Sequence, residues 1–339
     1  MASRSRQVAF RPGLNRPAGT FVEMQADTPT TRRHTWSGEP LEHYTDDMLI
    51  AQMTLAEEEM IRGDAPGAER RMRALEDIDM ENRPLLAARL YFDLGNANRE
   101  LARLKSSDGY FARCAALLER AVGASDPSLV PCLFNRGCVL VQRGLFPSAE
   151  QTLRRARGVC DGLFSVPRKS QMRSHILHAL AIAIEGCGRT DEAEATYRTA
   201  LSAAEDDERS SGVPRPQPQP SRAALASLLQ ARGDHAGALK LLDTERAAWR
   251  KARAAGRRQA WIALELAHAA GRAAIAAFAL HREQHAMLAL REALSAGRAA
   301  RNNGVTQSAS ARAVPNDPLQ LARETAAVMS RARTAIHST

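Results

Sequence analysis

Two pairs of histidines stand at spacings that, on a helix, would bring both rings to one face: His175 with His178, and His281 with His285. Imidazoles so placed could share a zinc ion. The second pair, however, reads H-R-E-Q-H rather than H-E-x-x-H, so its glutamate is out of register for a metalloprotease base. No third ligand is suggested nearby, and the expectation is no metal, with the histidines solvated or lining a groove. Glu57-Glu58-Glu59 reads most simply as a solvated helix face. No Gly-rich phosphate loop, G-x-S-x-G elbow or paired-carboxylate motif is present, so neither an enzyme nor a cofactor is expected. The five cysteines (Cys114, Cys132, Cys138, Cys160, Cys187) are odd in number and contain no C-x-x-C. That pattern argues against a disulfide framework or a structural zinc site and for reduced thiols in small packing positions.

Charge is the next candidate. The stretch Trp249-Arg250-Lys251-Ala252-Arg253-Ala254-Ala255-Gly256-Arg257-Arg258 forms a basic patch at Arg250, Lys251, Arg253, Arg257 and Arg258. RNA binding would want interleaved aromatics for stacking, and Trp249 and Trp261 are few, so a solvated, salt-sensitive face is the plainer reading. Arg32-Arg33-His34-Thr35 resembles a basophilic kinase site at Thr35. Across the chain of 339 residues the net charge is +9, unevenly spread. Residues 41–84 hold twelve acids against five bases, and residues 250–339 hold fourteen bases against five acids. A basic end invites acidic partners: an acidic protein surface, a microtubule wall, RNA or a membrane face.

These residues have to be positioned by helices. Hydrophobic residues are 44% of the chain but aromatics only 4%, so the apolar mass is largely Ala and Leu, both strong helix formers. No uninterrupted apolar run reaches the roughly 18 residues that span a bilayer. The N-terminus lacks the apolar stretch of a secretory signal, though its first twenty residues are free of acids as in a transit peptide. The expected compartment is the cytoplasm, with cytoskeleton or cilium as the finer possibility and an organelle as the alternative. Residues 1–44 lack helical periodicity and read as an extended basic arm. Periodicity then holds over 45–304, interrupted by a Pro-rich loop at 209–220. A polar linker and a last helix occupy 305–339.

Within 45–304 one helix-turn-helix pattern recurs, clearest from Leu133 to Ala156, with small Gly137, turn Gly144, then Ala149, Leu153 and Ala156. Siblings run through Leu55, Gly63 and Ala68; through Leu177, Leu180, Gly188, Ala193, Tyr197 and Ala200; and through Leu225, Gly233, Ala238 and Leu242. In the second copy, Tyr91, Leu94 and Gly95 are followed by an apparent insertion, Leu104 to Asp108, before Gly109 as turn glycine, then Cys114, Leu118 and Ala121. A sixth copy around Ala286, Leu290 and Ala293 has lost its turn glycine. Spacings of 35 to 46 residues between turn glycines exceed a minimal unit, so several second helices are expected to be long.

This skeleton resembles the tetratricopeptide (TPR) repeat, and its length resembles that of kinesin light chains and of polarity and ciliary TPR proteins. The resemblance implies an all-α, right-handed TPR superhelix (α-solenoid) of five to six repeats, with the extended arm and a C-terminal capping helix. It implies a concave groove lined by first helices, here Arg89, Phe92, Asn96 and Arg99, then Phe134, Asn135 and Cys138. His175, His178 and Ile182 follow, then Ser227 and Gln230. Asn96 and Asn135 match the asparagines that many peptide-binding TPRs use to hold a ligand backbone; the other reading is that they cap packing between repeats. The chaperone-type clamp needs cations, and its positions hold Phe92, His175 and Ala179, which argues against a chaperone-tail co-factor. The function implied is a non-catalytic scaffold or adaptor that holds a peptide or helix, in a cytoskeletal, ciliary or axonemal assembly. The rival is a helical-repeat component of an RNA-associated or organellar ribonucleoprotein. No membrane partner is expected.

Overall fold

The computed structural model describes residues 44–78, 80–162, 169–211, 219–254 and 260–302. Thr35 and the arm up to residue 43, most of the Pro-rich loop, Arg257, Arg258, and the linker and last helix at 305–339 lie outside the described residues. Twelve helices are found among the described residues: α1 (Asp46–Ile61), α2 (Ala65–Arg73), α3 (Pro84–Glu100), α4 (Leu104–Val122), α5 (Leu129–Gln142), α6 (Phe146–Asp161), α7 (Lys169–Gly186), α8 (Thr190–Ser211), α9 (Pro220–Ala231), α10 (His235–Ala254), α11 (Ala260–Ala279) and α12 (Glu283–Asn302). The chain divides into two compact units after Cys187, the first holding α1–α7 and the second α8–α12.

Left-handed backbone marks the turns. Gly63, Gly144, Gly188 and Gly233 have φ of 86°, 74°, 82° and 84°, as their glycine identity suggests. The second repeat departs from expectation: Gly109 lies inside α4, and the left-handed residue is Ala102, at φ 57°. The supposed insertion at Leu104–Asp108 is simply the first turn of α4. In the sixth repeat the lost glycine is replaced by His281, at φ 58°. The turn residues therefore stand at 63, 102, 144, 188, 233 and 281, at intervals of 39, 42, 44, 45 and 48 residues.

Hydrogen bonding makes the non-glycine turns equivalent to the others. The residue after the turn donates its N–H to the carbonyl five back: Asp64 to Glu59 (2.9 Å), Arg103 to Asn98 (2.8 Å), Leu145 to Leu140 (2.9 Å), Asp234 to Leu229 (2.9 Å) and Arg282 to Ala277 (2.9 Å). The turn residue itself donates three back, as Ala102 does to Arg99 (3.0 Å) and His281 to Phe278 (2.9 Å). This pair of bonds is the Schellman closure of a helix C-terminus.

Counted from the turn, the small and large positions fall into register. Seven residues before stand Ala56, Gly95, Gly137, Ala181, Ala226 and Ala274, all buried. Five residues after stand Ala68, Ser107, Ala149, Ala193, Ala238 and Ala286, each with no exposed surface. Ser107 fills an alanine position because its hydroxyl donates to the Gly95 carbonyl across the hairpin at 2.7 Å. Two glycines mark close approaches within hairpins: a Cβ at Gly95 would lie 2.7 Å from the Phe111 ring, and one at Gly137 would lie 2.5 Å from Leu153. Close packing of two antiparallel helices requires such residues where their surfaces meet.

In the first unit the odd-numbered helices form one layer, α1 on α3, α3 on α5 and α5 on α7, with the even-numbered helices behind. α5, flanked by α3, α4, α6 and α7, buries eleven of its 14 residues, among them Leu133, Val139 and Leu140. In the second unit α11 packs between α10 and α12. Its window Ile262–Ala279, with mean hydropathy 1.3, is long and apolar enough by composition to cross a membrane, although no uninterrupted apolar run suggested it. Two thirds (67%) of that window is buried against neighbouring helices, which accounts for its apolar character without a bilayer.

Candidate functional site

The inner layer of the first unit gathers most of the expected groove residues, though not all as ligand-facing groups. On α3 the stripe Arg89, Phe92/Asp93, Asn96, Arg99 follows the three-to-four-residue period of one helix face. Phe92 is only 4% exposed and meets Phe111 edge-on, ring centroids 5.8 Å apart. It belongs to the hairpin core rather than the groove, because it packs on Phe111, the ring that fills the space Gly95 leaves. Phe134 (3% exposed), Cys138 and Ile182 are likewise buried, although Phe134 stacks at 6.5 Å on the ring of His175, which is half-buried.

Charges on the stripe are spent unevenly. Arg89 donates from Nη2 to Glu57 Oε1 of α1 at 2.9 Å, and its Nε stands 3.9 Å from Asp93 Oδ2. Asp93 was missed in the sequence, although Arg89 and Asp93 stand four residues apart on one face. Burial holds the Asp93 carboxyl well above the usual carboxylate range, and Glu57 adds to the effect; Arg89 opposes both without overcoming them. Beneath the stripe, burial pushes the Cys138 thiol up to about 12, with Arg99 opposing.

Between α3 and α5 lies a chain of polar contacts. Arg99 donates from Nη1 to Asn135 Oδ1 at 3.4 Å, and Asn135 Nδ2 donates to Asn96 Oδ1 at 3.2 Å. Asn135 is 4% exposed and bridges the two repeats, as the packing reading of the asparagines has it, whereas Asn96 is half-buried. On α7, His178 is lowered to about 3 by burial and, secondarily, by His175, so it stays neutral through the physiological range.

The second unit holds the remaining expected residues. Ser227 donates to the Ala223 carbonyl of its own helix (3.1 Å), and Gln230 Nε2 donates to the Arg272 carbonyl (3.1 Å), tying α9 to α11. The basic patch is partly neutralised. α10 runs to Ala254 and carries Arg250, Lys251 and Arg253, all exposed. Arg250 is ion-paired with Glu292 of α12, with Nη2 to Oε2 at 2.8 Å. Arg246, 6% exposed, joins the same carboxylate at 2.7 Å and also reaches Asp243 at 2.6 Å. Arg250, Arg253, Leu266, Glu292, Ser295 and Ala296 line a cavity of about 370 Å³.

The spacing of His281 and His285 is not that of two residues on one helix. His281 occupies the left-handed turn, while His285 on α12 reaches Asp243 Oδ1 from Nε2 at 3.1 Å. No group of three metal-capable side chains is found among the described residues. A further buried pair was not foreseen: Glu245, 3% exposed, accepts from Arg222 at 2.9 Å and from the Gln219 backbone N–H at 3.3 Å. It sits twelve residues after its turn, where Ala156, Ala200 and Ala293 stand in other repeats, so repeat alignment could have singled it out. Burial pushes its carboxyl up to about 7 against the opposing pull of Arg222.

No family model matches the sequence, and no curated protein matches it. Solved structures do. The apo form of RapI is 13% identical over 86% of this chain and 99% of its own, with a TM-score of 0.53. A Podosopora anserina structure with nearly identical TPR-like repeats, named for kinesin light chain, is 18% identical over 60% of this chain and 96% of its own, at 0.50. Pseudomonas aeruginosa PilF is 15% identical over 79% and 96%, also at 0.50. At such identities the likeness concerns fold: the chain is an all-α helical repeat of the TPR type.

Proposed function

We propose that the chain is a non-catalytic scaffold whose first unit holds a protein segment against the face formed by α1, α3, α5 and α7. The observation that carries this reading is the polar row Arg89, Asn96, Arg99 and Asn135, continued by His175, on a face otherwise built from buried apolar side chains. Polar groups set in an apolar surface fix the orientation and register of a bound chain. Capture of partners from a lysate by wild type beside an Asn96→Ala/His175→Ala variant tests it. Both positions are half-buried, so the fold should survive the change. A partner set identical for the two proteins would overturn the reading. Phe92 is unsuited to this purpose, since its truncation would report folding.

Within that reading we place the scaffold in the cytoplasm, in a cytoskeletal or axonemal assembly. Its support is the net charge of +9, concentrated toward the basic C-terminal region, together with a fold similar to that of the TPR-like repeats named for kinesin light chain. Co-sedimentation with microtubules, weakening as salt rises from 50 to about 200 mM, is the expected result. An absence of co-sedimentation at low salt would remove this finer placement. For the RNA-associated rival the basic stretch counts for less at Arg250, which Glu292 compensates.

A further inference from the structure

The cavity of about 370 Å³ in the second unit has a floor and a rim of different character. Leu266 of α11 and Ala296 of α12 form the floor, and both are buried members of the packed cluster around Trp249 and Ile262. The core beneath is closed, so the hollow is a feature of the surface and not a packing defect. Ala254, at the end of α10, adds a small apolar wall. The rim is polar. Arg250 and Arg253 stand three residues apart on α10, and Glu292 and Ser295 three residues apart on α12.

The charges here do not cancel. Glu292 accepts from Arg246 Nε at 2.8 Å and from Arg250 through both Nε and Nη2, the latter at 2.8 Å. Burial would raise the Glu292 carboxyl, but the bonds from Arg250 and Arg246 outweigh it and hold the group below its ordinary value. It is a firm anion that is already neutralised. Arg246 also binds Asp243 at 2.6 Å, an acid that His285 shares at 3.1 Å. Three guanidiniums thus meet two carboxylates, and the one left over is Arg253, which has no partner among the described residues. An exposed arginine is ordinary in itself. This one stands on the rim of a cavity, beside the free Nη1 of Arg250 and the Ser295 hydroxyl.

We propose that this cavity binds a phosphate monoester with a small apolar body, the phosphoryl oxygens taken by Arg253, Arg250 Nη1 and the Ser295 hydroxyl. The donors favour a phosphoryl group over a carboxylate. A single guanidinium fork satisfies both oxygens of a carboxylate, whereas three separate donor groups match three phosphoryl oxygens. The apolar floor favours a ligand with a body to bury over a bare inorganic ion. The site lies wholly in the second unit and does not depend on the groove reading of the first. A free small molecule and a phosphorylated side chain of a protein present the same chemistry.

Isothermal titration of phenyl phosphate into the full chain at physiological ionic strength tests this, beside inorganic phosphate and benzoate, each lacking one half of the ligand. Phenyl phosphate should bind at least fivefold more tightly than either. Inorganic phosphate binding as tightly would mean that the apolar floor takes no part. Benzoate binding as tightly would mean that the donors do not select a phosphoryl group. Either result overturns the proposal, as does the absence of saturable binding by wild type. Arg253→Gln should weaken phenyl phosphate at least fivefold, and Ser295→Leu, which fills the hollow from an exposed position, should abolish its binding. Lys251→Gln, at an exposed cation of α10 outside the cavity, should change it less than twofold. Equal losses in Arg253→Gln and Lys251→Gln would reveal diffuse attraction to a basic surface and overturn the site. So would an unchanged affinity in Ser295→Leu. Circular dichroism checks the helices of each variant, and either cavity variant serves should the other fail to fold. N-acetyl phosphotyrosine amide separates the two sources: tighter binding than phenyl phosphate assigns the site to a phosphorylated side chain, weaker binding to a free small molecule, and both support phosphoryl recognition.

Discussion

Arg99 and Glu245 illustrate what burial does to a charged side chain when its compensation differs. Arg99 keeps its charge because a guanidinium cannot shed its proton, and its carboxylate contact is with the exposed Glu100 at 3.7 Å. Glu245 can adjust. Its carboxyl, ordinarily near 4.5, rises to about 7 because burial outweighs the Arg222 contact at 2.9 Å. The consequence for stability has a definite sign. The unfolded chain loses this proton near 4.5 and the folded chain keeps it to about 7, so the group's contribution falls as pH rises between those values. Thermal unfolding of Glu245→Gln beside wild type should therefore show nearly equal midpoints at pH 4.5, with the variant gaining as pH rises to 7.5. An advantage for the variant that shrinks with rising pH would contradict the assignment. Glu245 was legible only in part: the alanine register flags the substitution, but Arg222 is 23 residues away and only folding brings it near.

At the scale of the helical hairpin, glycine serves two distinct purposes that sequence alone does not separate. Gly144 and Gly233 supply left-handed turns, whereas Gly95 and Gly137 supply space for Phe111 and Leu153. Gly109 does neither: it is exposed within α4, with nothing within 4 Å of an added Cβ. Gly109→Ala should accordingly raise stability by about 0.5–1 kcal/mol, the helix-propensity difference between the two residues. Gly95→Ala should cost about 1–3 kcal/mol through overpacking against the ring. Urea unfolding followed by circular dichroism reads both, and a destabilised Gly109→Ala would contradict the register of the second repeat. Gly109 looked like the turn in sequence because turns favour glycine. Ala102 was hidden because its left-handed conformation is imposed by the Schellman bonds around it, at a local cost of about 1 kcal/mol.

Across the whole molecule, helices within each unit pack on their neighbours in sequence or on the next but one. Stability in such an array is close to a sum of repeat and interface contributions, so opening should be graded rather than all-or-none. In the first unit, amide exchange should be slowest in α5, which has neighbours on several sides and buries eleven of its 14 residues. α1 buries only Leu49, Met53 and Ala56, and should exchange soonest. Hydrogen-exchange mass spectrometry checks the order, and equal protection of α1 and α5 would refute it.

Composition, the recurring small-turn-small spacing and the heavy use of Ala and Leu by themselves determined an all-helical repeat fold. Those signals are local, each residing in one hairpin where helix period and turn chemistry act over a few residues. The sequence also nominated Asn96, Arg99 and Asn135. Tertiary structure alone decided that Phe92 faces the core, that Glu292 compensates Arg250 of the basic patch, and that Arg99 reaches Asn135 of the next repeat. Burial and charge compensation depend on residues 23 to 46 positions away, as Arg222 with Glu245 and Arg246 with Glu292 demonstrate. Only the packing of one helix on another sets those distances.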